Sequence, residues 1–125
     1  MGGKFVARTP DAAAVIWHNP RCSKSRQTLE LLRERGIEPV VRLYLDEPPS
    51  EAELKDVLAK LGIEPRALAR TKEKRYGELG LAQSGGEELL RAMAENPILI
   101  ERPVVIRGDR AALGRPPESV TALFE

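Results

Sequence analysis

Apolar and polar positions along this chain fall into blocks whose period changes, and each block predicts an element. Ala14-Val15-Ile16-Trp17 is a short unbroken apolar run, as expected of a buried strand. A polar loop follows, and then Leu29, Leu31 and Leu32 give one apolar face to a helix running to about Arg35. Ser23 or Ser25 is placed to cap that helix at its start, and Gly36 stands where a C′ glycine belongs. Glu38 to Leu45 reads as a second strand. Strand, helix and strand within about thirty residues form a βαβ unit, so the two strands should run parallel.

The next block is helical. Pro48-Pro49 stops the chain, Ser50 with Glu53 fits a capping box, and Leu54, Val57, Leu58 and Leu61 fall at i, i+3, i+4 and i+7. That stripe reads as core, and Gly62 ends it. Glu64 to Arg70 reads as a short helix, Lys72 to Gly80 as a charged connector, and Glu87 to Glu95 as a further helix. In the last block Val104-Val105-Ile106 is a buried strand, Gly108-Asp109 a turn and Ala111-Ala112-Leu113 a returning partner. A final helix spans about Glu118 to Leu123. The order predicts an α/β fold: a mixed sheet flanked by helices, with a helical insertion between a βαβ half and a ββα half, capping the site. Residues 1–12 read as a flexible extension and 13–125 as a single domain.

Composition narrows the partners. The chain of 125 residues is 42% apolar and 31% charged with a net charge of +1, so nothing calls for nucleic acid or an anionic membrane. No apolar run approaches the ~20 residues that span a bilayer. Met1 to Pro10 lacks the apolar centre of a secretory signal, which points to the cytoplasm. One cysteine excludes an internal disulfide, and with one histidine it argues against a structural zinc site.

That cysteine carries the candidate chemistry. A lone cysteine is most often an inert, buried small hydrophobe. Cys22 instead stands between Arg21 and Ser23, two residues after Pro20, where the first strand hands over to the helix. Unpaired N–H groups and the positive end of the helix dipole gather there, favouring thiolate and offering a place for an oxyanion. Lys24 and Arg26 add positive charge, and His18 can serve as an electrostatic partner. The expectation is a nucleophilic cysteine facing an anion.

The stretch His18-Asn19-Pro20-x-Cys22-x-x-Ser25-Arg26-x-Thr28-Leu29 resembles the active-site loop of the glutaredoxin-linked arsenate reductases. The resemblance continues through Tyr44-Leu45-x-x-Pro48-Pro49, Arg66-Ala67-Leu68-x-Arg70, Tyr76-x-Glu78-Leu79-Gly80-Leu81, Pro97-Ile98-Leu99-Ile100-x-Arg102-Pro103 and Gly114-Arg115-Pro116. It covers about Val15 to Phe124 and implies a thioredoxin-like fold. It further implies that Cys22 attacks arsenate, with His18 and Ser25 in the catalytic loop, and that Arg70, Arg102 and Arg115 surround the oxyanion. Pro103 would be a cis proline facing the cysteine. No bound cofactor is implied. Glutathione would be the co-substrate and glutaredoxin the partner that resolves the adduct. The loop departs from the family in reading Ser23-Lys24 where a Gly-Thr pair is frequent. Two alternatives stay open. One is a regulator of the same fold that binds RNA polymerase, although such relatives commonly carry a Cys-x-x-Cys pair and Ser25 replaces the second cysteine. The other is a general glutathione-dependent thiol oxidoreductase.

Overall fold

Ala14, Ile16 and Trp17 are buried, as an interior strand requires, and they set the middle of a sheet. A computed structural model describes residues 14–125, so the expected extension at 1–12 lies outside the described residues. The described chain divides into two compact units, residues 14–43 with Arg102–Glu125, and Tyr44–Glu101.

In the first unit β1 (Ala14–Trp17) leads through α1 (Ser23–Glu34) to β2 (Val40–Arg42), and β1 and β2 are parallel with Val15 opposite Val40. The hairpin β3 (Val104–Arg107) and β4 (Arg110–Leu113) joins antiparallel on the other side of β1, giving the order β2-β1-β3-β4. This is the expected mixed α/β sheet flanked by helices. Ile16, Leu29, Leu32, Val105, Val120 and Leu123 form its core. Gly36, at φ +80°, ends α1 in the left-handed conformation that glycine adopts without strain.

Two elements differ from expectation. β2 covers Val40–Arg42 and not Glu38 to Leu45. Pro39 has no N–H to give a ladder, and beyond Arg42, whose carbonyl accepts the His18 N–H at 2.8 Å, the chain enters a turn over residues 44–46. The last helix, Pro117–Phe124, is wound as 3₁₀ turns. Arg107 ties it to the sheet, donating to the Leu123 carbonyl at 2.8 Å and lying 4.9 Å over the Phe124 ring. On the other edge, the Arg42 guanidinium lies 5.6 Å over the ring of buried Trp17.

The second unit is helical: α2 (Glu51–Leu61), α3 (Pro65–Leu68), α4 (Lys74–Glu78) and α5 (Gly86–Glu95), with 3₁₀ turns at Leu81–Gln83 and Pro97–Leu99. The Ser50–Glu53 capping box forms in both directions, at 2.9 and 3.1 Å, and Gly62 closes α2 at φ +69°. α5 packs on α2 and α3, burying Leu54, Val57, Leu68, Leu89 and Met93. The stretch expected as a connector, Lys72 to Gly80, contains α4. Its charges face water, but Tyr76 is buried and its hydroxyl receives Arg66 Nη1 at 2.6 Å. The same guanidinium donates to the carbonyls of Leu81, at 2.9 Å, and Ser84, so one arginine organises the whole stretch.

Candidate active site

Cys22 is itself the N-cap of α1, extended at φ −97° and ψ 123°, and its amide donates to the Asn19 carbonyl at 3.0 Å. Neither Ser23 nor Ser25 caps the helix. Ser23 is its first residue, and Ser25 turns inward, fully buried. The Ser25 hydroxyl accepts the Asn19 N–H at 3.0 Å and lies 2.6 Å from His18 Nδ1. With no side chain capping α1, its first N–H groups are left for the thiol. Burial raises the Cys22 pKa, but the Ser25 backbone N–H, the Arg102 charge, the Lys24 backbone N–H and a hydrogen bond from the Arg102 side chain outweigh it. The net result is a thiol held below its ordinary pKa, and only partly exposed.

His18, expected as an electrostatic partner of the thiol, has a different duty in the structure. Burial, and then the charges of Arg33 and Arg26, hold its pKa below the usual imidazole value, so it is neutral at neutral pH. It braces Ser25 rather than supplying charge to the thiolate. Arg26 is likewise spent on the loop, donating to the Pro20 carbonyl at 2.8 Å. Lys24 contributes through its backbone N–H, not its ammonium.

The charge comes from Arg102. Its peptide to Pro103 is cis, as the resemblance implied, and so is that between Arg115 and Pro116. The two loops are laced together: the Gly114 N–H donates to the Pro103 carbonyl at 2.9 Å, and Arg115 Nη1 donates to the Arg102 carbonyl at 3.2 Å. The first unit thus holds Cys22, His18, Ser25, Arg102, Pro103 and Arg115. Arg70 belongs to the second unit. Its amide donates to the Leu99 carbonyl at 2.7 Å, and its guanidinium is shared between the Ile98 carbonyl at 3.2 Å and the Glu73 carboxylate at 3.2 Å.

A profile of the ArsC family matches residues 17–123, a span that takes in every one of these side chains. The chain belongs to the ArsC family. It is 54% identical over 108 residues to the uncharacterized protein YfgD of Escherichia coli, covering 84% of this chain and 91% of that protein. An arsenate reductase of Neisseria meningitidis serogroup A is 50% identical over 112 residues, with 87% of this chain and 96% of that one covered. Among solved structures, the arsenate reductase from Vibrio cholerae superposes with a TM-score of 0.85 at 51% identity, covering 87% of this chain and 95% of that one. The thioredoxin-like fold is thereby shown.

Within this ArsC domain, sequence reading missed the duties of Asn19 and Thr28. The Asn19 carbonyl receives the Cys22 N–H and its side chain receives the Arg21 N–H at 3.0 Å, which shapes the turn into α1. An Asn-Pro pair before a helix is the signal for such a turn. Thr28 is fully buried and donates to the Lys24 carbonyl at 2.7 Å. Among the described residues no group of His, Cys, Asp and Glu could hold a metal, and no helix is long and apolar enough to cross a membrane.

Proposed function

We propose that this ArsC-family protein reduces arsenate to arsenite, with Cys22 as the nucleophile and external thiols as the source of electrons. The observation that supports it best is the placing of Cys22 as N-cap of α1 with two helix N–H groups and the Arg102 guanidinium set against its sulfur, an arrangement that holds the thiol below its ordinary pKa. The same donors that stabilise a thiolate stabilise a tetrahedral oxyanion arriving beside it.

The thiolate forms a bond to As(V) and a hydroxyl of arsenate departs as water, having taken up a proton. Arg102 and Arg115 offer planar forks that match two oxygens of the oxyanion. Arg70 is the third arginine of the family motif, and its share in capture rests on that match. Ser25, braced by His18, holds the turn whose N–H groups face the sulfur. With one cysteine in the chain, the adduct must be resolved by another molecule. Glutathione attacks the Cys22 sulfur, the electron pair of the As–S bond stays on arsenic, and arsenite leaves. Glutaredoxin then reduces the mixed disulfide and restores the thiolate. The electrons come from thiols, so the cycle calls for no resident cofactor. Its need for reduced glutathione places it in the cytoplasm.

The test is arsenate-dependent oxidation of NADPH in a coupled assay with glutathione, glutaredoxin and glutathione reductase. Turnover that requires arsenate and is lost in Cys22→Ser is expected. Turnover on glutathione mixed disulfides without any response to arsenate would replace this reading with the general thiol oxidoreductase. No turnover on either, with several glutaredoxins, would remove the enzyme reading.

A further inference from the structure

Gly114 is unusual among the glycines of this chain. Gly36 and Gly62 take positive φ with open space where a side chain would go. Gly114 is the reverse, since its φ is not positive but its neighbours leave no room. A Cβ there would sit 2.7 Å from Pro103 Cγ and 3.1 Å from Thr28 Cγ2, and closer still to the Thr28 hydroxyl. Real Cβ atoms do not approach heavy atoms under 3.0 Å, and neither a ring nor a fully buried threonine can simply swing aside.

The three residues lie on three different segments. Thr28 is on α1, within two turns of Cys22, and its hydroxyl bonds the carbonyl of Lys24 in the first turn. Pro103 follows Arg102, the cation that acts on the Cys22 sulfur. Gly114 precedes Arg115 and donates its N–H to Pro103. The spacing between the helix that carries the N–H donors and the loop that carries the guanidinium is therefore fixed where the Thr28 and Pro103 side chains close on a residue that has none.

We propose that Gly114 is a positioning residue for the Cys22 thiolate. Its missing side chain lets the Arg102–Pro103 loop close on Thr28 of α1, and that closure sets the reach of Arg102 to the sulfur. The proposal deepens the arsenate-reductase reading and rests on its pairing of Cys22 with Arg102. A methyl group at position 114 pushes α1 and the Arg102 loop apart by a few tenths of an ångström or more, which weakens a short charge contact without removing any group.

The experiment compares the pH dependence of Cys22 alkylation in the full chain and in Gly114→Ala, Thr28→Ala, the double variant and Arg102→Ala, with circular dichroism to verify folding. Gly114→Ala is expected to move the inflection upward by about half a pH unit or more, because a cation is being drawn away from a thiolate. Its kcat/KM for arsenate should fall by roughly 10- to 100-fold, the usual penalty for misplacing a reacting group. The double variant should recover part of the shift, since Thr28→Ala clears two of the three clashing atoms; residues in contact couple in this way. A folded Gly114→Ala with unchanged inflection and unchanged kcat/KM overturns the proposal. So does strict additivity of the two substitutions. If Gly114→Ala alone fails to fold, the double variant against Thr28→Ala gives the same comparison: an upward shift supports the proposal and none overturns it. Arg102→Ala separates the two readings. If it leaves the inflection in place, the pairing of Cys22 with Arg102 is wrong; if it raises the inflection and Gly114→Ala does not, only the positioning role fails.

Discussion

Arg102 and the N–H groups of Lys24 and Ser25 in the first turn of α1 act on one sulfur, but only Arg102 can be removed by substitution. Arg102→Ala is expected to raise the Cys22 pKa and to cut arsenate turnover by ~10²-fold or more, the usual loss for one preorganised donor. Arg102→Lys should restore the charge but not the fork, so alkylation recovers further than turnover. Arg115→Ala should lower turnover, read in the same NADPH assay. Cys22 was legible in the sequence because its polar neighbours and the strand-to-helix handover are local. Arg102 was legible through the family motif only as a ligand of the oxyanion; its action on the thiol itself was not, since the two are far apart in the chain and meet through the fold. His18 was legible as part of the site but not in its charge state, because its burial, and then the approach of Arg33 and Arg26, arise only once the chain is folded. The pH dependence of stability follows from both groups. Each has a pKa below its unfolded value, so each contributes stability that is present above the unfolded pKa and lost as pH falls through the folded one. The Tm advantage of the wild type over Cys22→Ser should therefore grow as pH rises through the thiol window. His18→Gln should flatten the loss of Tm below the ordinary imidazole range. A flat Tm difference across either window contradicts the corresponding shift.

Among the elements, α2 shows what a sequence can specify alone. Its stop, capping box, apolar stripe and terminal glycine are all written within residues 48–62, and each forms as read, save that Leu61 at the end of the stripe is only half-buried. Ser50→Ala should lower stability by about 1 kcal/mol, visible as a drop in Tm without change of fold. α4 shows the opposite. Nothing in its own five residues makes it a helix; Arg66, on α3, gathers Tyr76, Leu81 and Ser84 around one guanidinium. Arg66→Ala should speed amide exchange across residues 74–84 while leaving α2 protected. Equal protection of α4 in that variant would show that burial of Tyr76 suffices. β2 came out shorter than its apolar run, because hydropathy marks which residues can pair and not where the neighbouring strand ends.

For the whole chain, the block order made a mixed sheet legible, while the strand order β2-β1-β3-β4 came only from the structure. The single cysteine makes a further expectation simple: glutathione disulfide should give one mixed disulfide per chain, reversed by glutaredoxin and absent in Cys22→Ser. Intact-mass measurement reads it directly, and failure to form the adduct at alkaline pH would contradict an accessible thiolate. Last, the aromatic residues are divided between the two units. The only tryptophan, Trp17, is buried under Arg42 beside the cysteine loop, while both tyrosines, Tyr44 and Tyr76, are buried in the helical unit. Fluorescence excited at the red edge then reports the sheet alone, and the tyrosine component of the absorbance, resolved from the overlapping tryptophan band, reports the helices. One heated sample yields two independent melting curves, and coincident midpoints would mean that sheet and helices unfold as a single cooperative body.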